Sequence, residues 1–424
     1  MNKDGSEKTP KQILRQSLNH LEADRVPVDF GGTGQTGMHI SCVAALRRYY
    51  GLEERPVKAV EPYQMLGEID DELKAIIGID TQPADIGNTM FGFRNENWKE
   101  WEAPWGQVIL VAEKFQTLRN DNGDVLIFPQ GDPDAPASAK MPKSSYFFDA
   151  IIRQMPLDET RLDPEDNLEE FTRFSDADLD RWKSIINRLE DNPRALIANI
   201  GGTALGDIAL VPAVNLKNPK GIRDISEWYM STLSRRNYIH YVFDKQCDIA
   251  IQNLNSVYMA IGNAVDVVFI CGTDFGTQNS AFCSVETFRE LWMPYYQRIN
   301  GWIHAHTSWK TFKHCCGSIQ PFMPSLIESG FDILNPVQYN AANMDIRQLK
   351  NRFGDQIVFW GGGVDTQKIL PFGTPEEVRG EVLHQCEILS KNGGFVFSSV
   401  HNVQANTPVR NIAAMVDAVR EFNT

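Results

Sequence analysis

The chain has 424 residues, of which 42% are hydrophobic and 10% aromatic, and 41 Lys and Arg against 55 Asp and Glu give it a net charge of −14 at pH 7. This composition is typical of a globular protein. No apolar run approaches the roughly 18 residues of a membrane span, and no block of Lys and Arg suits a nucleic-acid binder. We therefore expect neither a membrane nor a nucleic-acid partner.

The first residues and the cysteines indicate a cellular location. Residues 1–12 are polar and lack the features of a secretory signal or a transit peptide, so we expect a cytoplasmic protein whose first twelve residues are flexible. The chain has seven cysteines, an odd number without a secretory signal. This pattern predicts free thiols or metal ligands rather than a disulfide framework.

Strand and helix patterns alternate along most of the chain. In chain order, β-branched or aromatic runs predict strands within residues 25–34, 80–86, 194–202, 265–276, 309–319, 331–338, 357–363 and 394–402. Helix signals follow at residues 176–189, after Asp345, at Thr374 with Pro375, and at Thr407 with Pro408. The run at 80–86 is the weakest, so about seven of the eight strands of a closed barrel are marked. We therefore predict an α/β fold: one (β/α)₈ barrel domain spanning residues 1–424.

Residues 98–130 depart from this alternation. Asn122-Gly123 lies between two short alternating runs, which is a strong hairpin signal. We therefore predict an antiparallel hairpin excursion from the barrel near residues 98–130.

The strongest chemical signal is the pair His314 and Cys316 at the end of a predicted strand. Residues two apart in a strand point the same way, so these side chains share one face while Cys315 faces the other. An imidazole and a thiolate aimed together at the mouth of a barrel are two ligands of a zinc site. Both residues can also be buried side chains whose hydrogen bonds are made within the protein. The pair alone therefore favours neither a zinc site nor a structural role.

The last predicted strand delivers His401 to the same end of the barrel. Strand ends converge on one face, so His401 can complete a three-ligand site with an open position, as in catalytic zinc centres. Its alternative role is a hydrogen bond to substrate. Asp274 also ends a strand and is a candidate catalytic group, contacting substrate or the metal's surroundings; the alternative is a cap on the following turn.

Four further polar residues are candidate substrate contacts. Asn335 and Gln338 end the strand after His314, and Asp365 follows the glycine run 361–363. His306 precedes the metal strand, where a histidine at a solvent-facing helix end is the commoner finding.

Several long motifs resemble the uroporphyrinogen decarboxylase superfamily, and more narrowly its metal-dependent, corrinoid-linked methyltransferase branch. They cover residues 24–40, 271–278, 306–338, 359–382 and 397–412, among them FKHCCGSIQPF, FWGGGVDTQKI and FSSVHNVQANTP. The resemblance implies a single (β/α)₈ barrel, a zinc ion bound by a His-x-Cys pair matching His314 and Cys316, and a partner protein that carries a corrinoid (methylcobalamin).

Two chemistries are known within this family. Uroporphyrinogen decarboxylases need no metal and hold a tetrapyrrole's carboxylates with arginines after the first strand, whereas this chain has GGTGQTGMH there and no arginine until Arg47. Coenzyme M-specific methyltransferases place a cysteine near the end of the last strand, where this chain has His401. The third metal ligand and the methyl acceptor therefore stay open.

We accordingly predict an enzyme that moves a methyl group between a small substrate, such as a methyl ether or a thiol, and the cobalt of a corrinoid protein. The alternatives are metal-independent decarboxylation of uroporphyrinogen and a barrel-fold binding protein without catalysis.

Overall fold

The computed structural model describes residues 8–424, and most of its secondary structure belongs to one mixed α/β architecture. Its strands are β1 (Ala59–Glu61), β2 (Leu66–Gly67), β3 (Thr81–Ala84), β4 (Lys99–Glu102), β5 (Val108–Val111), β6 (Thr117–Arg119), β7 (Val125–Ile127), β8 (Ala139–Met141), β9 (Asp149–Ala150), β10 (Ala195–Ala198), β11 (Val267–Cys271), β12 (Lys310–His314), β13 (Ile333–Asn335), β14 (Val358–Trp360) and β15 (Phe395–Val396). Its helices are α1 (Pro10–Leu18), α2 (Ile40–Tyr49), α3 (Asp71–Ile77), α4 (Asp176–Arg188), α5 (Ile225–Ser234), α6 (Arg236–Ile261), α7 (Val285–Leu291), α8 (Met293–His306), α9 (Met323–Glu328), α10 (Ile346–Phe353), α11 (Ile369–Phe372), α12 (Pro375–Leu389) and α13 (Val409–Phe422).

Seven strands form one parallel sheet in the order β15-β14-β13-β12-β11-β10-β3. Neighbouring strands pair in parallel along the whole sheet, for example Phe312 with Ile333 and Lys313 with Leu334 between β12 and β13. Helices connect most successive strands. The predicted alternation of parallel strands and helices is therefore confirmed.

The two edges of this sheet both contact the segment around Val28. Asp29 N donates to Phe397 O, Phe397 N donates to Pro27 O, and Asp80 N donates to Val28 O, each at 2.8 Å. Six strand spacings of about 4.8 Å would hold the edges of a flat sheet about 29 Å apart. Contacts from one segment to both edges therefore require the sheet to curl.

The prediction of a strand within residues 25–34 is wrong. The segment makes one bridge, Val28 with Phe397, and no extended strand. Pro27 has no N–H to donate to a ladder, and the backbone turns at Gly31, where φ is +80°. The pairing is thereby limited to a few residues.

Helix α1 covers the amino-terminal end of the curled sheet. Lys11 N donates to Pro193 O at 2.9 Å, and Arg15 Nε donates to Asp266 Oδ1 at 2.6 Å, both just before a strand begins. Leu14 and Leu18 belong to the core cluster inside the sheet. The other members of that cluster come from the strands: Ala195, Ile197, Val267, Phe269, Phe312, Ile333, Val358, Trp360 and Val396. Residues 1–7 of the segment expected to be flexible lie outside the described residues, while α1 begins at Pro10.

The predicted antiparallel excursion is confirmed and is larger than the sequence indicates. Strands β4 and β5 form one hairpin, and β6 to β9 form a separate antiparallel sheet. Asn122-Gly123 lies in the turn between β6 and β7, as expected. The excursion therefore extends to Ala150 instead of ending near residue 130.

Helix ends show where local signals succeed and where they fail. Thr374 caps α12 as expected and forms a capping box with Glu377, and Asp345 caps α10 through Gln348 N. The predicted start of the last helix at Thr407 is wrong. The helix begins at Val409, and Thr407 donates its hydroxyl to Gln404 O instead of capping the helix. No helix among residues 8–424 is long and apolar enough to cross a membrane.

Candidate metal centre

The candidate site lies at the carboxyl ends of β12, β13 and β15. His314 is the last residue of β12, and its Nε2 lies 3.2 Å from Cys316 Sγ. The Cys315 side chain turns the other way, and its sulfur accepts a hydrogen bond from Phe275 N at 3.3 Å. The alternation expected for this segment is therefore present.

His401 joins this pair from the loop after β15. Donor atoms of His314, Cys316 and His401 all lie within 4.8 Å of one another. The two imidazole rings are 5.5 Å apart at an angle of 75°. Two nitrogens and one sulfur at this spacing match the donor set of a zinc site with three protein ligands.

Asn335 sets the proton position on His314. Its Nδ2 donates to Trp360 O at 2.9 Å, so its Oδ1 is the atom that faces His314 Nδ1, 2.6 Å away. An oxygen can only accept there, which places the imidazole proton on Nδ1 and leaves the Nε2 lone pair directed toward the cluster. This is the tautomer that a metal ligand needs.

Burial favours uncharged forms of all three side chains. It lowers the pKa of His314 and of His401 to about 4, and it raises the pKa of the Cys316 thiol well above its usual value. The histidines are thus ready donors at neutral pH, whereas the thiol must lose a proton to bind a metal.

Asp274 supports the cluster from the loop that follows β11. Its Oδ1 accepts a hydrogen bond from Cys316 N at 2.6 Å, and burial raises the pKa of its carboxyl group. A second buried acid, Asp207, has its pKa raised to about 6 by burial, with the charge of Asp274 adding to the effect. Asp207 lies outside any regular element, so no sequence pattern indicated it.

A cavity of about 460 Å³ opens beside Cys316 and His401. Amides and hydroxyls dominate its remaining polar lining, and no Lys or Arg is among the lining residues. These polar residues are Thr277, Gln278, Gln338, Thr366, Gln367, Asn402 and Gln404. The donor cluster is therefore accessible to a small neutral molecule.

The residues predicted to contact substrate differ in their position relative to this cavity. Gln338 lines the cavity, with Oε1 accepting from Gly317 N at 2.7 Å. Asn335 is buried, and both ends of its amide are engaged by His314 and Trp360, so the structure shows it beside a candidate ligand while its contact with substrate stays a prediction. The Asp365 carboxylate accepts from Gln367 N and Lys368 N and closes a turn, and its contact with substrate stays a prediction.

His306 is the clearest correction. It ends α8, before β12 begins, and therefore lies at the opposite end of the sheet from Cys316. Its Nδ1 lies 2.7 Å from Trp302 O, and its ring stacks on that tryptophan. Proximity in sequence to the metal strand does not bring this histidine to the site.

Asn402 is a site residue that the sequence reasoning missed. Its Oδ1 accepts from Gly37 N at 2.7 Å, and its Nδ2 donates to Gly34 O at 3.0 Å and to Gln64 Oε1 at 2.8 Å. Asn402 directly follows His401, so these hydrogen bonds link the glycine-rich loop 31–37 to the chain beside His401. Its position after His401 was the one available signal.

The fold and the site define an α/β protein with a three-donor cluster at the carboxyl ends of parallel strands. The family model described as uroporphyrinogen decarboxylase (URO-D) matches residues 212–422. Through this region the chain fits the uroporphyrinogen decarboxylase superfamily.

Curated relatives match over shorter stretches. The uroporphyrinogen decarboxylase of Methylococcus capsulatus is 26% identical over 102 residues, which is 24% of this chain and 27% of that protein. The one from Coxiella burnetii is 30% identical over 79 residues, or 19% of this chain and 21% of that protein. The chain thus spans about a quarter of the length of the curated relatives it matches.

A solved structure matches the whole chain. The methyltransferase from Methanosarcina mazei has a TM-score of 0.54 and 15% sequence identity, and the match covers 99% of this chain and 100% of that one. The likeness shows a shared fold.

Proposed function

We propose that this protein is a zinc-dependent methyltransferase that moves a methyl group between a small substrate and the cobalt of a corrinoid protein. The observation that carries the proposal is the cluster of His314, Cys316 and His401, whose donor atoms lie within 4.8 Å of one another at an open cavity. Three protein ligands with a position left for substrate are the arrangement of catalytic zinc sites.

The residues present fit zinc. The donor set is two imidazoles and one thiol, and Asn335 holds His314 in the tautomer that offers Nε2. When bound there, zinc supplies a Lewis acid that polarises a substrate oxygen or lowers the pKa of a substrate thiol. Asp274 fixes the Cys316 backbone through its hydrogen bond to Cys316 N, so it acts in this proposal on the position of the thiol.

The proposal extends to the fold that carries the site and to the cellular location of the protein. We propose that the Val28 segment closes the curled sheet into a (β/α)₈ barrel and that the chain forms one barrel domain, because both sheet edges bond to it. A cytoplasmic location fits the seven cysteines, all of which are free thiols.

The cavity lining favours methyl transfer over decarboxylation. Binding a tetrapyrrole through its many carboxylates needs cationic side chains, whereas no Lys or Arg lines the cavity beside Cys316 and His401. The methyltransferase from Methanosarcina mazei shares the fold along the full chain, which agrees with the proposal.

The experiment is a cobalamin absorbance assay. The zinc-loaded protein is incubated with cob(I)alamin and a panel of methyl ethers, and with methylcobalamin and a panel of thiols. With the wild-type protein, we expect one of the two conversions between cob(I)alamin and methylcobalamin, seen as a change in the absorbance spectrum. With Cys316→Ala we expect no change. Turnover of uroporphyrinogen that is unaffected by chelators would support the decarboxylase instead, and an unchanged spectrum in both directions would support a non-catalytic barrel.

A further inference from the structure

The wall of the cavity beside the metal ligands contains a chain of side-chain amides. Gly317 N donates to Gln338 Oε1 at 2.7 Å, and Gln338 Nε2 donates to Gln278 Oε1 at 3.0 Å. Gln278 Nε2 then donates to Asn340 O at 2.5 Å. We call this chain of three hydrogen bonds the amide relay. It joins the loops that follow β11, β12 and β13, and Gln278, Gly317 and Gln338 line the cavity.

Backbone groups fix the direction of the amide relay at both ends. A backbone N–H can only donate, so Gln338 must turn its amide oxygen toward Gly317. A backbone carbonyl can only accept, so Gln278 must turn its amide nitrogen toward Asn340. The two glutamines therefore have one consistent orientation, and neither amide can flip without losing a hydrogen bond.

This orientation leaves hydrogen-bond donors on the cavity wall. A side-chain amide nitrogen carries two hydrogens, and among residues 8–424 the Nε2 atoms of Gln338 and Gln278 each donate once. The second hydrogen of each nitrogen is available to a ligand. Gln278 is exposed to solvent, whereas Gln338 is only 6% exposed. Gln338 is therefore the donor that a bound molecule satisfies away from water.

The loops that carry the amide relay are held against each other. Ser318 N donates to Thr277 O at 2.8 Å, which joins the loop after β12 to the loop after β11. The backbones also approach closely, because a Cβ on Gly317 would lie 2.5 Å from Gly276 C. Donors on a wall that is already ordered lose little conformational entropy when a ligand binds. The relay is thus a preformed part of the site.

The rest of the lining offers no partner to a charged ligand group. Of the described residues that line this cavity, none is Lys, Arg, Asp or Glu. A charged group that gives up water against this wall gains no opposite charge in return, which is costly. An uncharged oxygen exchanges its hydrogen bonds with water for hydrogen bonds with amide N–H groups. The lining therefore favours an uncharged acceptor.

We propose that the small substrate of this site is uncharged and carries an oxygen acceptor near its reacting atom, and that Gln338 recognises this oxygen. The inference rests on the proposed function and names its substrate class. A site that offers a buried donor discriminates against an analogue without the acceptor, because the donor is then left unpaired. Gln338 is thus a specificity-determining residue.

The test uses the cobalt(II)-substituted full-length protein and three thiols of matched shape: 3-mercaptopropionamide, 3-mercaptopropionate and 3-methylbutane-1-thiol. A thiolate that binds cobalt adds a charge-transfer absorbance, so titration gives a dissociation constant without turnover. The constants are compared after correction for the ionised fraction of each thiol. We expect the amide to bind at least about tenfold more tightly than either of the other two thiols. Equal or tighter binding of the carboxylate or of the alkyl thiol would overturn the proposal.

A variant then assigns the recognition to Gln338. Gln338→Met keeps the length of the side chain and removes the amide, so the preference for 3-mercaptopropionamide over 3-methylbutane-1-thiol should fall below about twofold. A purely structural role would weaken both thiols equally. Gln246→Met is the matched control, because Gln246 is also buried and donates to two backbone carbonyls, Gly202 O and Ala204 O, without lining the cavity. The control should keep the wild-type preference, and the same preference in Gln338→Met would contradict the assignment.

The outcomes separate this inference from the proposed function. A protein that binds no cobalt overturns both, since the thiols then have no metal to bind. A protein that binds cobalt and changes the cobalamin spectrum, but does not discriminate among the three thiols, overturns the inference alone. Discrimination among the thiols with unchanged cobalamin spectra supports the recognition by Gln338 and overturns methyl transfer.

Discussion

At the scale of single residues, the candidate metal centre depends on Asn335. This side chain contacts His314 at Nδ1, and not at Nε2, the nitrogen that faces Cys316. Asn335 spans from Trp360 O to His314 Nδ1 and thereby selects the tautomer of the imidazole. Contacts of this kind commonly contribute 10-fold to 100-fold to metal affinity. The structure therefore assigns to Asn335 a role in orienting His314, whereas the sequence indicated a contact with substrate.

Asn335→Leu should weaken zinc binding by about 10-fold to 100-fold, because His314 loses the acceptor that fixes its proton. Competition with a chromophoric chelator measures this affinity. The matched control is Asn300→Leu: Asn300 is also a buried asparagine that donates to one backbone carbonyl, Ser329 O, at 2.8 Å. The control should lower the melting temperature and leave zinc affinity unchanged. Equal zinc affinities for the two variants would contradict the role of Asn335.

Zinc binding should depend on pH through the thiol alone. The pKa of His314 and of His401 is lowered to about 4, so both imidazoles are neutral above about pH 5 and release no proton to the solvent. The pKa of Cys316 is raised, so its thiol is protonated at neutral pH and must lose that proton. We expect the association constant to rise about tenfold per pH unit between pH 6 and 8. A flat profile over this range, measured by calorimetry in two buffers, would show that the thiol is already ionised.

At the scale of elements, helix α1 closes the amino-terminal end of the curled sheet. Leu14 is fully buried in the cluster formed by the inward side chains of the strands. Leu14→Ala should lower the free energy of unfolding by about 3 kcal/mol, through lost transfer energy and a residual cavity. Leu21→Ala is the control, because Leu21 is 56% exposed just beyond α1, and it should cost less than about 0.5 kcal/mol. Urea unfolding compares the two, and equal costs would contradict the role of α1.

Local signals predicted the elements whose stability is local. Thr374, Pro375 and Glu377 specify the start of α12 with atoms that lie within one helical turn. The Val28 segment differs, because its only bridge is to Phe397, which is far along the chain, and Pro27 prevents a regular ladder. Its length could not be read from local hydrophobicity. The strands β8 and β9 were missed for a similar reason, since they are short and pair within a small antiparallel sheet.

At the scale of the whole molecule, the parallel order of the sheet explains why the three ligand candidates could be chosen from sequence. His314 ends β12 with Cys316 two residues further on, and His401 follows the parallel strand β15, so the topology directs all three to one end of the sheet. The same reasoning failed for His306, which lies near them in sequence but before the strand begins. Asn402 and Asp207 act through long-range contacts in loops, where no periodic pattern marks them.

We propose that His314, Cys316 and His401 together hold one zinc ion. The most direct test is the zinc content of the purified protein, measured by inductively coupled plasma mass spectrometry. We expect about one zinc per chain in wild type, with loss of most of it in His314→Ala and in Cys316→Ala while circular dichroism shows an intact fold. His306→Ala serves as the matched histidine control and should retain the wild-type content. Full zinc content in both His314→Ala and Cys316→Ala would contradict the claim.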